Sequence, residues 1–119
     1  MTPDRVLQLL DEALAHCQGT HTLEDVRQGI AKGALQLWIG ERSVAVTELV
    51  NYPQRRVLNV FLAAGEHDDM AACMPGVEAF ARGVGASALM MAGRVARRTG
   101  WDRLFGFQTV WTGHWKELT

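Results

Sequence analysis

Hydrophobic positions recur at helical spacing over the first third of the chain and then switch to strand-like alternation, so the pattern divides the sequence before any motif is considered. Thr2, Pro3 and Asp4 form a helix start: a hydroxyl cap, a proline with no N–H to lose, and an acid at the positive end of the dipole. Val6, Leu9, Leu10, Ala13, Leu14 and Cys17 then share one face and Gly19 ends the pattern, which predicts a helix over residues 3–17. A second helix starts at Thr22, with Asp25 as a shortened capping box and Leu23, Val26 and Ile30 as a narrow stripe closed by Gly33.

The period then becomes two. LQLWIG (35–40) and SVAVTELV (43–50) flank the polar GERS and predict a hairpin; RVLNVFLAA (56–64) follows a second turn at NYPQR. The third of these antiparallel strands is apolar almost throughout, apart from Asn59, which predicts a central strand covered on both faces. HDDMAACM is expected to form one or two helical turns, and Pro75 then opens a better helix, PGVEAFARGVG. SALMMAG (87–93) is a further strand, parallel to 56–64 through a right-handed crossover. VARRTGW (95–101) predicts a short helix, and DRLFGFQTVWTGHWKEL one or two strands with a turn at Thr112 and Gly113. The expected fold is α+β, a mixed sheet with helices on its faces.

A chain of 119 residues suits one domain, here 1–119, and its 48% apolar and 21% charged residues are those of a folded protein. A formal net charge of −1 offers no attraction for nucleic acid or an anionic membrane, and neither is expected as a partner. No apolar run approaches the ~18 residues of a membrane span, and acids interrupt the N-terminal pattern where a signal peptide would be apolar. A cytoplasmic location follows, with Cys17 and Cys73 as two reduced thiols.

Among candidate chemical groups, Glu48 alternates with Val44, Val46 and Val50, so a strand turns it toward an apolar face. A carboxylate there has a raised pKa and can take a proton from an amine; an open edge face or an ion pair with Arg56 would account for it equally. Asn59 on the next strand is either its partner, an oxyanion donor, or a backbone-satisfying group in a bulge. His67, Asp68 and Asp69 suggest a metal, but neighbours on a helix point about 100° apart, and acids suit a helix start without any ligand. No metal is expected. His16, His21 and His114 are isolated, and no nucleophile motif is present. Of four tryptophans, Trp111 and Trp115 either cover the sheet or anchor a homodimer or protein partner.

The segment SALMMAGRVARRTGWDRLFGF, a strand and short helix ending in the pair Gly100 and Trp101, resembles the GNAT superfamily of acyltransferases, which transfer an acyl group from coenzyme A to an amine. The resemblance runs from about Leu35 to Leu118, and QLWIGERSVAVTELVNYPQRRVLNVFLAAG is closest in texture to small phage-encoded GNAT-like proteins. It implies a GNAT-like fold in which strands 57–64 and 87–92 splay apart around the pantetheine of acetyl-CoA, with backbone groups of Leu62, Ala63 and Ala64 toward it. It also implies a phosphate loop, (Arg or Gln)-x-x-Gly-x-(Gly or Ala), before the next helix. LAAGEHDDMAA departs from that loop: only Gly65 fits, and Glu66, Asp68 and Asp69 stand where phosphates would, at on the order of 1–4 kcal/mol per like-charge pair. The tyrosine that many members use to protonate the leaving thiolate is replaced by Ala96, and Tyr52 lies in a turn. Arg94, with Arg97 and Arg98, is either an anion-binding group or part of a solvated face. Two functions remain open: an acyl-CoA-dependent N-acyltransferase with Glu48 or water as base, and a catalytically inactive GNAT-fold interaction or assembly component, plausibly phage-encoded.

Overall fold

The structure is a computed structural model and describes residues 1–91, 100–111 and 113–119. In chain order the elements are α1 (Pro3–Leu14), α2 (Leu23–Ala31), β1 (Leu35–Ile39), β2 (Ser43–Asn51), β3 (Arg56–Gly65), α3 (His67–Gly83), β4 (Ala88–Met91) and α4 (Trp101–Phe105). The four-stranded sheet has the order β1-β2-β3-β4. Its first two pairings are antiparallel and the last is parallel, as a crossover through α3 requires. The fold is therefore mixed α+β.

Both N-terminal helices are set by the caps seen in the sequence. Thr2 accepts from the Arg5 amide, and Thr22 and Asp25 form the reciprocal capping box. Helix α1 stops at Leu14, short of the expected residue 17, because the chain tightens there into i→i−3 bonds from His16 and Cys17 and enters left-handed backbone at Gln18.

A bulge explains the unbroken apolar run of β3. Val46 lies opposite Leu62 but Thr47 lies opposite Val60, so Phe61 is an extra residue and side-chain parity reverses across it. Leu58 consequently packs beneath α3 with Val77 and Ala81, whereas Leu62 packs beneath α1 and α2 with Val44, Val46, Leu9, Leu10 and Val26. Phe61 joins that second core and meets the ring of His21 edge-on at 4.5 Å. Trp38 is a core aromatic of the α3 face, edge-on to Phe80 at 5.5 Å, with its indole N–H donating to buried Thr47 at 2.9 Å.

Two expectations are corrected. Helix α3 is one 17-residue helix, with Pro75 inside it and not at its start. Asp69, Cys73, Val77 and Ala81 recur at every fourth position across the proline, so one inward face spans both halves. Pro75 is exposed, which leaves water to hydrate the carbonyl it cannot bond. The C-terminus forms no strand among its described residues: Trp101–Phe105 is a short helix bracketed by left-handed Gly100 and Gly106, and the rest is irregular. Most of the expected helix over 95–101 lies outside the described residues, as does Arg94.

Candidate functional site

The pairing of Asn51 with Arg56 at the second hairpin places Glu48 directly opposite Asn59. The Asn59 side-chain N–H donates to Glu48 Oε1 at 2.9 Å. Glu48 lies on the side of β2 that carries Val44 and Val46, as alternation requires, and both members of the pair are half-buried. Arg56 does not neutralise Glu48: it donates to Asn51 Oδ1 at 2.7 Å and to the Val84 carbonyl at 2.6 Å, capping the end of α3. Asn59 Oδ1 is buried with no hydrogen-bond partner among the described residues, an acceptor that a bound donor would satisfy.

The row of register partners extends across the sheet as Leu35, Glu48, Asn59 and Met90. Tyr52, whose place in a turn gave no hint of a role, reaches over β4 to bring its hydroxyl 3.8 Å from Met90 Sδ. One register step further, Val60 and Met91 are the last pair of β3 and β4 among the described residues. Beyond them residues 61–65 of β3 have no strand neighbour on the β4 side among the described residues.

Leu62, Ala63, Ala64 and Gly65 follow the last described pair of β3 and β4, with different surroundings. Leu62 and Ala64 pack against the α1 core, while Ala63 faces the opposite side of the sheet. There it lines a small cavity of about 40 Å³ between sheet and α3, whose walls include Val60, Met70, Cys73, Met74 and Phe105.

Gly65 is closed off by the first hairpin. Its φ is +116°, and an added Cβ would lie 2.3 Å from the Arg42 carbonyl oxygen. The Glu66 amide donates to that same carbonyl at 3.1 Å. The start of α3 is held by its own acids: buried Asp69 accepts from the Arg42 amide at 2.9 Å and from the Ser43 hydroxyl at 2.6 Å. The Arg42 guanidinium bonds Glu66 at 2.5 Å and lies 3.9 Å from Asp68. The acids that suggested a metal are therefore a clasp between the β1–β2 turn and α3. Among the described residues no three His, Cys, Asp or Glu side chains gather as metal ligands.

The Ser43 hydroxyl and then the Arg42 amide hold the Asp69 carboxyl below its ordinary pKa of 3.8. A group lowered on folding stabilises above its unfolded pKa and loses that contribution as pH falls through its folded value. Asp69→Asn is therefore expected to melt well below wild type at pH 6, with the two midpoints converging as pH drops under about 3.8. Paired melts from pH 6 to pH 2 check this, and a gap independent of pH would contradict it. Glu24, drawn down to about 2 chiefly by the Arg27 hydrogen bond, titrates in the same range but equally in both proteins.

No protein-family model matches the chain, and no curated protein does. Among solved structures, TTHA1254 from Thermus thermophilus matches in wild-type and point-mutant forms, with a TM-score of 0.60 and 14% identity. The alignment covers 100% of this chain and 92% of that one. The two share a fold. Among the described residues no helix is long and apolar enough to cross a membrane.

Proposed function

We propose that this chain is a GNAT-like N-acyltransferase that grips its acyl-CoA donor by the pantetheine arm. The observation that carries the reading is the half-buried Glu48–Asn59 pair, where a carboxylate and a buried amide oxygen without a partner among the described residues meet on adjacent strands, one register step from Val60 and Met91. In this reading the thioester lies beside β3 and β4, and the amine approaches from the side of Glu48. Bulges of the kind at Phe61 recur beside active sites because they re-aim side chains.

In the proposed reaction the amine nitrogen attacks the thioester carbonyl, the C–N bond forms and the C–S bond breaks. Glu48 takes the proton from nitrogen, and the leaving thiolate is protonated by water. Asn59 orients Glu48 through its amide N–H, and its unpartnered Oδ1 accepts from the incoming amine. The diphosphate is left without its usual helix N-terminus, because Asp69 and Arg42 already occupy that end of α3. Millimolar acetyl-CoA, if a hundredfold above its Kd, is expected to add about 2.7 kcal/mol, raising the melting midpoint by about 10 °C. An unchanged midpoint would sink the reading.

The clasp itself favours a second reading, that of a GNAT-fold component without catalysis, acting as a homodimer or with a protein partner. In support, Trp111 and Trp115 are 61% and 59% exposed, as interface anchors are before assembly. A monomer at high concentration, together with an acetyl-CoA shift, would decide against it.

A further inference from the structure

The outer edge of the sheet at β1 is unprotected. Its residues, LQLWI, carry no charge, no proline and no register break against β2. Folded proteins blunt an edge with such devices because its unpaired backbone groups are a template for another strand. Which groups are unpaired follows from the hairpin. The Gly40 amide donates to the Ser43 carbonyl at 2.8 Å, so these two residues face each other as a bonded pair. Facing pairs alternate along an antiparallel ladder, which makes Trp38–Ala45 and Gln36–Thr47 the next bonded pairs. Leu35, Leu37 and Ile39 therefore turn their amides and carbonyls away from β2, and among the described residues no backbone group bonds them there. Ile39 is also 54% exposed.

We infer that β1 pairs antiparallel with β1 of a second copy of this chain, about a twofold axis at Leu37, to give one sheet continuous across a homodimer. With Leu37 opposite the partner's Leu37, Leu35 lies opposite the partner's Ile39, and Ile39 opposite the partner's Leu35. Every outward backbone group of both strands then finds a partner, two bonds for each facing pair. A slip along the strand in either direction leaves the outward groups of an end residue unpaired. The pattern is its own complement: leucine and isoleucine meet on one face, Gln36 meets the partner's Trp38 on the other, and no charge opposes its like within the strands. Past the strand ends the partner's Glu41 falls opposite Gly33, next to Lys32, while Arg42 is drawn toward Glu66 and Asp68 of its own chain. The pairing depends on neither functional reading and uses a surface other than Trp111 and Trp115.

Amide hydrogen exchange of the full chain, compared at about 10 µM and about 1 mM, reads the pairing residue by residue. The amides of Leu35, Leu37 and Ile39 are expected to slow at least about tenfold at the higher concentration, in alternation with those of Gln36 and Trp38, which already bond β2 and change little. Sedimentation over the same range should show monomer giving way to dimer. Ile39→Pro removes an outward N–H that no bond within the chain uses, so it is expected to fold and to raise the dimer dissociation constant at least about a hundredfold. Replacing both Trp111 and Trp115 by alanine should leave that constant within about twofold. A monomer at about 1 mM, or a dimer that Ile39→Pro leaves as tight as wild type, overturns the inference. Protection of the three amides that is independent of concentration overturns it too, since a segment of the same chain would then cover the edge; so does loss of the dimer in the double tryptophan variant, which places the interface elsewhere. Should Ile39→Pro fail to fold, Ile39→Lys decides, because it sets a charge on the edge at an exposed position: dimerisation about tenfold weaker or more supports the pairing, and a dimer as tight as wild type overturns it. None of these readouts involves acyl-CoA.

Discussion

Gly65→Ala is expected to lower the stability of the fold by about 2–6 kcal/mol, from backbone strain and overpacking together. At φ +116° any side chain is strained, and the new methyl would sit 2.3 Å from a backbone oxygen that the hairpin cannot withdraw without releasing α3. Folded domains hold only about 5–15 kcal/mol in total, so the variant is expected to be partly unfolded at 37 °C. The same exchange at Gly76, which lies in α3 with nothing within 4 Å of an added Cβ, is expected to stabilise by about 0.5–1 kcal/mol. Urea denaturation of both variants measures the contrast. If Gly65→Ala were as stable as wild type, the first hairpin would not lie against the start of α3.

Glu48→Gln is expected to slow acyl transfer by about 10²–10⁴-fold while leaving stabilisation by acetyl-CoA intact. The glutamine keeps an oxygen for the Asn59 N–H, so the cross-strand contact survives and the loss reports the proton acceptor alone. Asn59→Ala should lose part of the rate and also weaken amine binding, since it removes both the orienting N–H and the unpartnered acceptor. Turnover unchanged in Glu48→Gln would remove that residue from the mechanism and leave water as the base.

The pairing of Glu48 with Asn59 was legible because a hairpin fixes its own register. Once NYPQR is read as the turn that sets Asn51 against Arg56, counting back three pairs reaches it. The helix caps at Thr2 and Thr22 were legible for a similar reason, since each device is local. The clasp was not: Arg42 and Asp69 are 27 residues apart, and only the folded sheet carries the β1–β2 turn to α3. Nor does any residue type announce the bulge at Phe61, because an apolar run buried on both faces looks the same with or without an extra residue. Pro75 misled as a helix start, since a proline on an exposed face is tolerated when the buried stripe continues past it. In the C-terminal segment, aromatic and β-branched residues suggested strands, yet Gly100 and Gly106 bracket a helical turn.

In the proposed binding mode the donor's pantetheine arm lies beside β3 and β4, and its diphosphate is unsupported because Asp69 and Arg42 close the start of α3. Calorimetric titration with acetyl-CoA and with S-acetyl-pantetheine, which lacks the nucleotide, tests it most directly. Dissociation constants within about threefold of each other are expected, a difference of about 0.6 kcal/mol. Acetyl-CoA binding more than about tenfold tighter, or about 1.4 kcal/mol, would show that the phosphates find a site after all, and binding of neither ligand would rule out the acyltransferase reading.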